Sequence, residues 1–262
     1  MTASALYNAP MIRLTVLGAS GGIGGEARTT ALQVDADTLI DCGTGVGDSP
    51  LAALIAIDQV FLTHAHLDHI ALLPMLADAR VDRRDTPLAV YGLPETLQTL
   101  RECIFNNRVW PDYTSEVLPY VRLQAVALGQ TVEVGGRRFQ PLPVKHAIPA
   151  CAWRIDSGEA SLVFTGDTTF SEALFAELKQ ISNLRHLIIE TTFLNALEAA
   201  CEAAGHNNAR RLALGLAQLP PDVTVHITHM EPGREEEIWA EIQAACLNHT
   251  LRRLRRGEVI AF

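Results

Sequence analysis

The chain has 262 residues, 48% of them hydrophobic and 19% charged, with 18 Gly and 13 Pro. That balance fits an ordinary globular enzyme and excludes disordered, collagen-like and small disulfide-stapled chains. Its 21 basic and 30 acidic residues leave a formal charge of −9, which opposes the positive field of a general polynucleotide binder, while small anions stay compatible wherever metals or Arg reverse the field locally.

No apolar run reaches the ~18 residues that suggest a membrane span. Met1 to Pro10 lacks the basic flank and apolar stretch of a secretory signal. Five widely spaced cysteines (Cys42, Cys103, Cys151, Cys201 and Cys246), none in a Cys-x-x-Cys pair, read as free thiols in a reducing compartment. The cytoplasm is the expected location.

Along the chain, Met11–Leu17, Ala31–Val34 and Thr38–Ile40 read as strands, the last closing on the turn Asp41-Cys42-Gly43. Val60–Thr63 is a short apolar strand that ends at a histidine cluster. The apolar spacing of Ile70, Leu72, Leu73 and Leu76 predicts a helix over 68–79 despite Pro74. A strand at Leu88–Tyr91 and a helix at Glu95–Ile104 follow. Strands are then expected at Val121–Val126, Thr131–Val134, Arg138–Val144, Ala152–Ile155 and Ser161–Phe164, with hairpin signals at Gly135-Gly136 and Ser157-Gly158. Beyond Asp167 the order is helix, strand, helix, helix, strand, helix. Leu187–Ile189 and Val223–Ile227 are the strands, and Asn207–Leu219 and Arg234–Cys246 are amphipathic helices. The basic run 252–256 reads as the positive end of a terminal helix, and Glu235–Glu237 as the acidic start of the helix before it. Mixed strands interrupted by helices predict an α/β fold of two packed sheets with helices outside, a single domain over residues 1–262.

The chemistry is concentrated in Thr63-His64-Ala65-His66-Leu67-Asp68-His69. Three imidazoles and a carboxylate directly after an apolar strand suit a centre that wants nitrogen and oxygen donors: zinc first, then manganese or iron. His64 and His66 project to one side of a strand end, and the following turn swings Asp68 and His69 toward a nearby point. Further donors sit at other strand ends: His146, Asp167 and His229. His226 lies within its strand and competes with His229, whereas His186 and His249 read as structural or surface residues.

These residues resemble the metallo-β-lactamase superfamily, whose signature is His-x-His-x-Asp-His followed by a lone His, a bridging Asp and a last His. The resemblance covers nearly the whole chain and implies a four-layer αββα sandwich and two divalent metal ions. It implies that His64, His66 and His146 hold one metal, that Asp68, His69 and His229 hold the other, and that Asp167 bridges them. Ile188-Ile189-Glu190-Thr191-Thr192-Phe193 and Gly205-His206 resemble segments of the phosphodiesterase branch, shared by tRNase Z and class II cyclic nucleotide phosphodiesterases. There the Glu orients the His, which protonates the leaving oxygen; taken alone, Glu190 also fits a surface acid and His206 a helix cap. The branch's usual Thr or Ser after that His is Asn207 here.

The segment from Ile104 to Tyr113 resembles the Phe-Asn-x-x-x-Trp-Pro stretch of the class II enzymes. Trp110 and Tyr113 would offer faces to stack a purine, and Asn106, Asn107 and Arg108 polar recognition; the alternative is a helix end packed by Trp110. The resemblance thus implies hydrolysis of 3′,5′-cyclic nucleotides to 5′-nucleotides by a metal-bridging hydroxide oriented by Asp68, with Glu190 and His206 protonating the leaving oxygen. A homodimer is also implied. Other phosphodiesters, a thioester, or a scaffold that kept the fold and lost activity are the competing readings. Only two lysines, Lys145 and Lys179, and no basic insertion speak against the arm with which tRNase Z grips tRNA. A rival motif, Gly18-Ala19-Ser20-Gly21-Gly22-Ile23-Gly24, resembles the nucleotide-binding turn of short-chain dehydrogenases, but no Lys lies four residues after a Tyr and a strand follows instead of a long helix. The turn is expected to bring its backbone and Ser20 close to the metal centre.

Overall fold

Short aliphatic runs between Gly- and Asp-rich turns build the first sheet. In the computed structural model, which describes residues 11–262, β1 (Arg13–Gly18), β2 (Ala31–Val34) and β3 (Thr38–Ile40) form an antiparallel meander. α1 (Leu51–Ala56) leads to β4 (Gln59–Phe61), and α2 (Leu67–Ile70) and α3 (Leu73–Arg80) lead to β5 (Leu88–Gly92). α4 (Pro94–Thr99) and a π-helical turn at Leu100–Ile104 precede β6 (Val121–Ala125). Strands β3 to β6 are parallel. The reading of Met1–Pro10 as no secretory signal lies outside the described residues.

β7 (Val132–Val134), β8 (Arg137–Pro143), β9 (Cys151–Asp156) and β10 (Ser161–Phe164) then pair antiparallel in succession. α5 (Glu172–Gln180), β11 (Leu184–Glu190), α6 (Glu198–Ala204), α7 (Ala209–Leu216), β12 (Thr224–Thr228), α8 (Glu235–Ala245) and β13 (Leu251–Arg253) follow, with β10 to β13 parallel. β14 (Val259–Ala261) returns to pair with β1. Each sheet therefore has seven strands, β14-β1-β2-β3-β4-β5-β6 and β13-β12-β11-β10-β9-β8-β7.

Because strand side chains alternate between faces, each central strand feeds two cores. Ile40, Phe61, Ile188 and Phe164 enter the core between the sheets. Leu39, Val60 and Val90 face outward onto Leu73, Leu76 and Leu97. Leu187, Ile189, Val225 and Ile227 face the other way onto Leu178, Leu212 and Ile242. Three apolar layers between four structural ones make the αββα sandwich. Phe61 binds the sheets together: its ring stacks on Tyr91 at 4.6 Å and Phe139 at 4.1 Å and meets the edge of Trp153 at 4.9 Å.

Several expectations need correction. The helix expected over 68–79 is two helices, α2 and α3, and Pro74 sits in the first turn of the second, where its missing N–H costs no bond. The helix starting at Asn207 begins at Ala209, because the Asn208 side chain caps it by accepting from the Arg211 N–H at 3.0 Å. The run 252–256 is no helix end: Leu251–Arg253 pairs with β12, and Leu254 is buried between the sheets. Helix α1 and strand β14 add to the elements the sequence pattern marks.

Candidate metal centre

The candidate donors leave the strands at one edge of the sandwich, as side chains at the carboxyl ends of parallel strands do in open α/β sheets. His64 follows β4, Asp167 follows β10, Glu190 ends β11 and His229 follows β12. His146 follows β8, which runs antiparallel to β9 and so in the direction of β10. The exit from β4 is held by the Trp153 indole, which donates to the Leu62 carbonyl at 3.0 Å. His66 stands at the N-cap of α2, placing Asp68 and His69 in its single turn. His229 and Asp41 both adopt left-handed backbone, φ 60° and 57°, a conformation non-glycine residues seldom take and one often kept at functional sites.

Two donor groups result. His64, His66, His146 and Asp167 form one, and Asp68, His69, Asp167 and His229 the other; within each, the ligand atoms lie within 4.8 Å of one another. Asp167 belongs to both. In the first, His146 Nε2 is 3.1 Å from His66 Nδ1, and His64 Nε2 is 3.6 Å from Asp167. In the second, His69 Nε2 lies 3.5 Å from Asp68 and 3.3 Å from Asp167, and His229 Nε2 lies 3.2 and 3.3 Å from the same carboxylates.

The far nitrogens decide which atom each ring presents. His69 Nδ1–H donates to buried Asp41 at 2.7 Å, and His146 Nδ1–H to the Gly205 carbonyl at 3.0 Å. The Thr63 hydroxyl donates to Asp41 at 2.8 Å and so accepts from His64 Nδ1–H at 3.0 Å. His229 Nδ1–H donates to the Thr192 hydroxyl at 3.0 Å. Four rings therefore aim Nε2 lone pairs inward, the tautomer that a metal-ligating His needs. Imidazole nitrogens and carboxylate oxygens thus crowd one small volume, 3.1–3.6 Å apart. His64 Nε2, His69 Nε2 and Asp167 Oδ1 are buried without any hydrogen-bond partner, a costly state that a cation relieves. The residues fit divalent metal ions, and nitrogen–oxygen donor sets of this kind suit zinc, manganese or iron.

The electrostatics agree. Burial lowers the pKa values of His64, His66 and His146, keeping these rings neutral. For His69 burial acts the same way, yet the carboxylates of Asp167 and Asp41 outweigh it and hold the imidazole well above its ordinary value. That reversal measures how strongly this half of the pocket draws positive charge. Asp68 is the more open carboxylate, its side chain 31% exposed against 3% for Asp167, so it marks the accessible side.

Glu190 is fully buried and accepts from His206 Nδ1–H at 2.8 Å, Thr168 N–H at 3.1 Å and the Thr192 hydroxyl at 3.0 Å. Burial would lower the His206 pKa, but the charge and hydrogen bond of Glu190 push it up to about 9. The His206 ring stacks on His229 at 5.5 Å and meets His146 edge-on at 5.1 Å. The structure thus joins this pair to the donor groups.

The other sequence candidates lie differently. Ser20 pairs its backbone with Met230, next to His229, and its hydroxyl accepts from the Gly22 N–H at 3.4 Å. Gly21 lies so close that a Cβ there would sit 2.9 Å from His229 Nδ1, which is why this turn needs glycine. Asn106 and Asn107 hold their own loop together: Asn106 accepts from the N–H groups of Arg108 and Val109 and donates to the Glu102 carbonyl, and Asn107 accepts from the Asp112 N–H. Trp110 packs against the core on the outer face of the first sheet, Tyr113 is buried there with its hydroxyl on Asp78, and Arg108 is exposed. Sequence reasoning missed Asp41, Thr63, Thr192 and the Gly205 carbonyl. Asp41 alone carried a signal, being a strand-end Asp before Gly43 as Asp167 is after Gly166.

Fold and donor set together define a metallo-β-lactamase-fold hydrolase. The beta-lactamase superfamily domain matches residues 37–248, and the chain belongs to that family. Ribonuclease Z of Mycobacterium sp. (strain KMS) is 27% identical over 257 residues, 87% of this chain and 88% of that protein. A probable 3′,5′-cyclic-nucleotide phosphodiesterase of Yersinia pestis is 31% identical over 120 residues, 43% of this chain and 34% of that protein. The metallo-beta-lactamase fold protein YhfI from Bacillus subtilis shares the fold, with a TM-score of 0.77 at 21% identity over 96% of this chain and 99% of its own. Among the described residues no helix is long and apolar enough to cross a membrane.

Proposed function

We propose that the chain is a dinuclear metal-dependent phosphodiesterase that opens 3′,5′-cyclic nucleotides to 5′-nucleotides. The observation that carries this reading is the buried Glu190–His206 pair, 2.8 Å apart and stacked against the second donor group. A thiolate leaves without a proton, whereas an alkoxide leaves badly unless one arrives as its bond to phosphorus breaks. An acid held beside the donor groups therefore favours a phosphodiester over a thioester. The likeness to the Yersinia protein supports the cyclic substrate.

His64, His66 and His146 would hold one cation, Asp68, His69 and His229 the other, with Asp167 shared. Divalent ions bound there neutralise phosphate oxygens and lower the pKa of water. Asp68, on the accessible side, accepts a hydrogen bond from the attacking water and orients it. His206 passes its Nε2 proton to the departing 3′-oxygen, and Glu190 keeps the ring aligned through Nδ1.

A second reading, an RNA substrate, is favoured by a cavity of about 550 Å³ beside Ser20 and Met230, lined by Arg28, Arg253, Arg255 and Arg256. Most of these cations are paired: Arg28 and Arg256 each lie 2.8 Å from Asp48, Arg256 also lies 3.8 Å from Glu26, and Arg253 meets Glu236, so among the described residues Arg255 is the lining arginine left without an ion pair. The likeness to ribonuclease Z keeps this reading in view despite the net charge of −9.

The test is a panel of cyclic AMP, cyclic GMP, bis-p-nitrophenyl phosphate, lactoylglutathione and a tRNA precursor with a 3′ trailer. Formation of 5′-AMP or 5′-GMP, with the thioester untouched, is expected. Turnover of the thioester alone would overturn the phosphodiesterase reading, and precursor cleavage without cyclic-nucleotide turnover would select the second.

A further inference from the structure

We infer that Thr192 is a positioning residue that sets the tautomer of His229 and ties the second donor group to the Glu190–His206 pair. The inference rests on the metal-centre reading above and adds a residue to which the sequence motifs assign no role.

Thr192 is 7% exposed and pinned from both sides: its N–H donates to the Asn207 carbonyl at 3.0 Å, and its carbonyl accepts from the Glu231 N–H at 3.3 Å. Its hydroxyl meets three groups, Glu190 Oε2 at 3.0 Å, His229 Nδ1 at 3.0 Å and His206 Nδ1 at 3.4 Å. A hydroxyl has one proton to give, and an ionised carboxylate can only accept. The proton therefore goes to Glu190, and the oxygen accepts from His229 Nδ1–H. With Nδ1 protonated, His229 Nε2 keeps its lone pair and turns it toward Asp68 and Asp167, 3.2 and 3.3 Å away.

Without the hydroxyl this preference reverses. The two carboxylates are better acceptors than anything then left near Nδ1, so the neutral ring would place its proton on Nε2 and occupy the position a cation needs. Thr191 does not substitute, since its hydroxyl donates to the Glu190 carbonyl. Loss of such a partner of a ligating His weakens metal affinity by about 10–100-fold, and here the loss falls on one of the two groups. Glu190 still accepts from His206, Thr168 and Asn207.

The experiment compares the wild-type chain, Thr192→Val and Thr192→Ser by zinc analysis after dialysis and by titration against a chromophoric chelator. Wild type and Thr192→Ser are expected to take up two ions with like affinities. Thr192→Val is expected to keep the tighter ion and bind the other about 10–100-fold more weakly. In a His229→Ala background, adding Thr192→Val is expected to change zinc binding no further. Should the valine variant fail to fold, Thr192→Ala tests the same loss. Two ions bound to Thr192→Val with wild-type affinity would overturn the role of Thr192 alone, whereas wild-type protein that binds no zinc, manganese or iron would overturn the metal centre and this inference with it.

Discussion

Replacing His206 with alanine separates proton donation from metal binding. The His206 side chain is 12% exposed and donates to a carboxylate that is itself fully buried, so its removal deletes one charge-assisted hydrogen bond, worth about 1.5–3 kcal/mol of stability. Glu190 is not stranded, because Thr168, Asn207 and Thr192 still donate to it, and the variant is expected to fold. Its kinetic cost is that of a missing general acid, about 10²–10⁴-fold. At 1.36 kcal/mol per tenfold, that raises the barrier by about 2.7–5.4 kcal/mol. The cost applies only where the leaving oxygen needs the proton: cyclic AMP releases an alkoxide, whereas bis-p-nitrophenyl phosphate releases a stabilised phenolate. Measured as kcat/KM, His206→Ala should lose about 10²–10⁴-fold on cyclic AMP and less than about tenfold on the nitrophenyl ester. Equal losses on both substrates would show that His206 contributes through packing or binding and would refute its role as proton donor.

Two further outcomes concern stability. His226 is buried between the sheets against His186, at 3.2 Å, and burial first, then the neighbouring His186 and Arg252, lowers its pKa to about 3. Unfolded, it titrates near 6.5, so between those values the unfolded chain binds the extra proton and stability falls as pH falls; the share lost from pH 7 to pH 5 is about 2 kcal/mol. Urea titrations at both pH values should show a difference smaller by about that amount in His226→Gln, and an unchanged pH slope would contradict the assignment. Trp153→Ala removes a fully buried ring and the bond to the Leu62 carbonyl that holds the β4 exit. It should cost about 3–5 kcal/mol by denaturant midpoint, and a loss below about 1 kcal/mol would show that the core between the sheets closes over the gap.

From the sequence alone, the seven candidate donors and their order were readable, because His64, His146, Asp167 and His229 each close a short apolar run and His66, Asp68 and His69 follow His64 directly. Continuous apolar runs such as Leu39-Ile40, Val60-Phe61 and Leu187-Ile188-Ile189 fit strands covered on both faces, which the structure provides. Local pattern failed where long-range pairing overrode it: Leu251–Arg253 looks like a charged helix end until β12 offers it a partner. The tertiary structure alone decided which nitrogen each His presents, since that depends on Asp41, Thr63, Gly205 and Thr192. Asp41 reaches His69 across 28 residues of chain, and Asp68 faces His229 across 161. It also showed that Asn106 and Asn107 hold their own loop, a use of side chains that residue type cannot reveal. Composition and period fix what a segment buries, but a hydrogen bond between distant segments exists only once the sheets have brought their ends together.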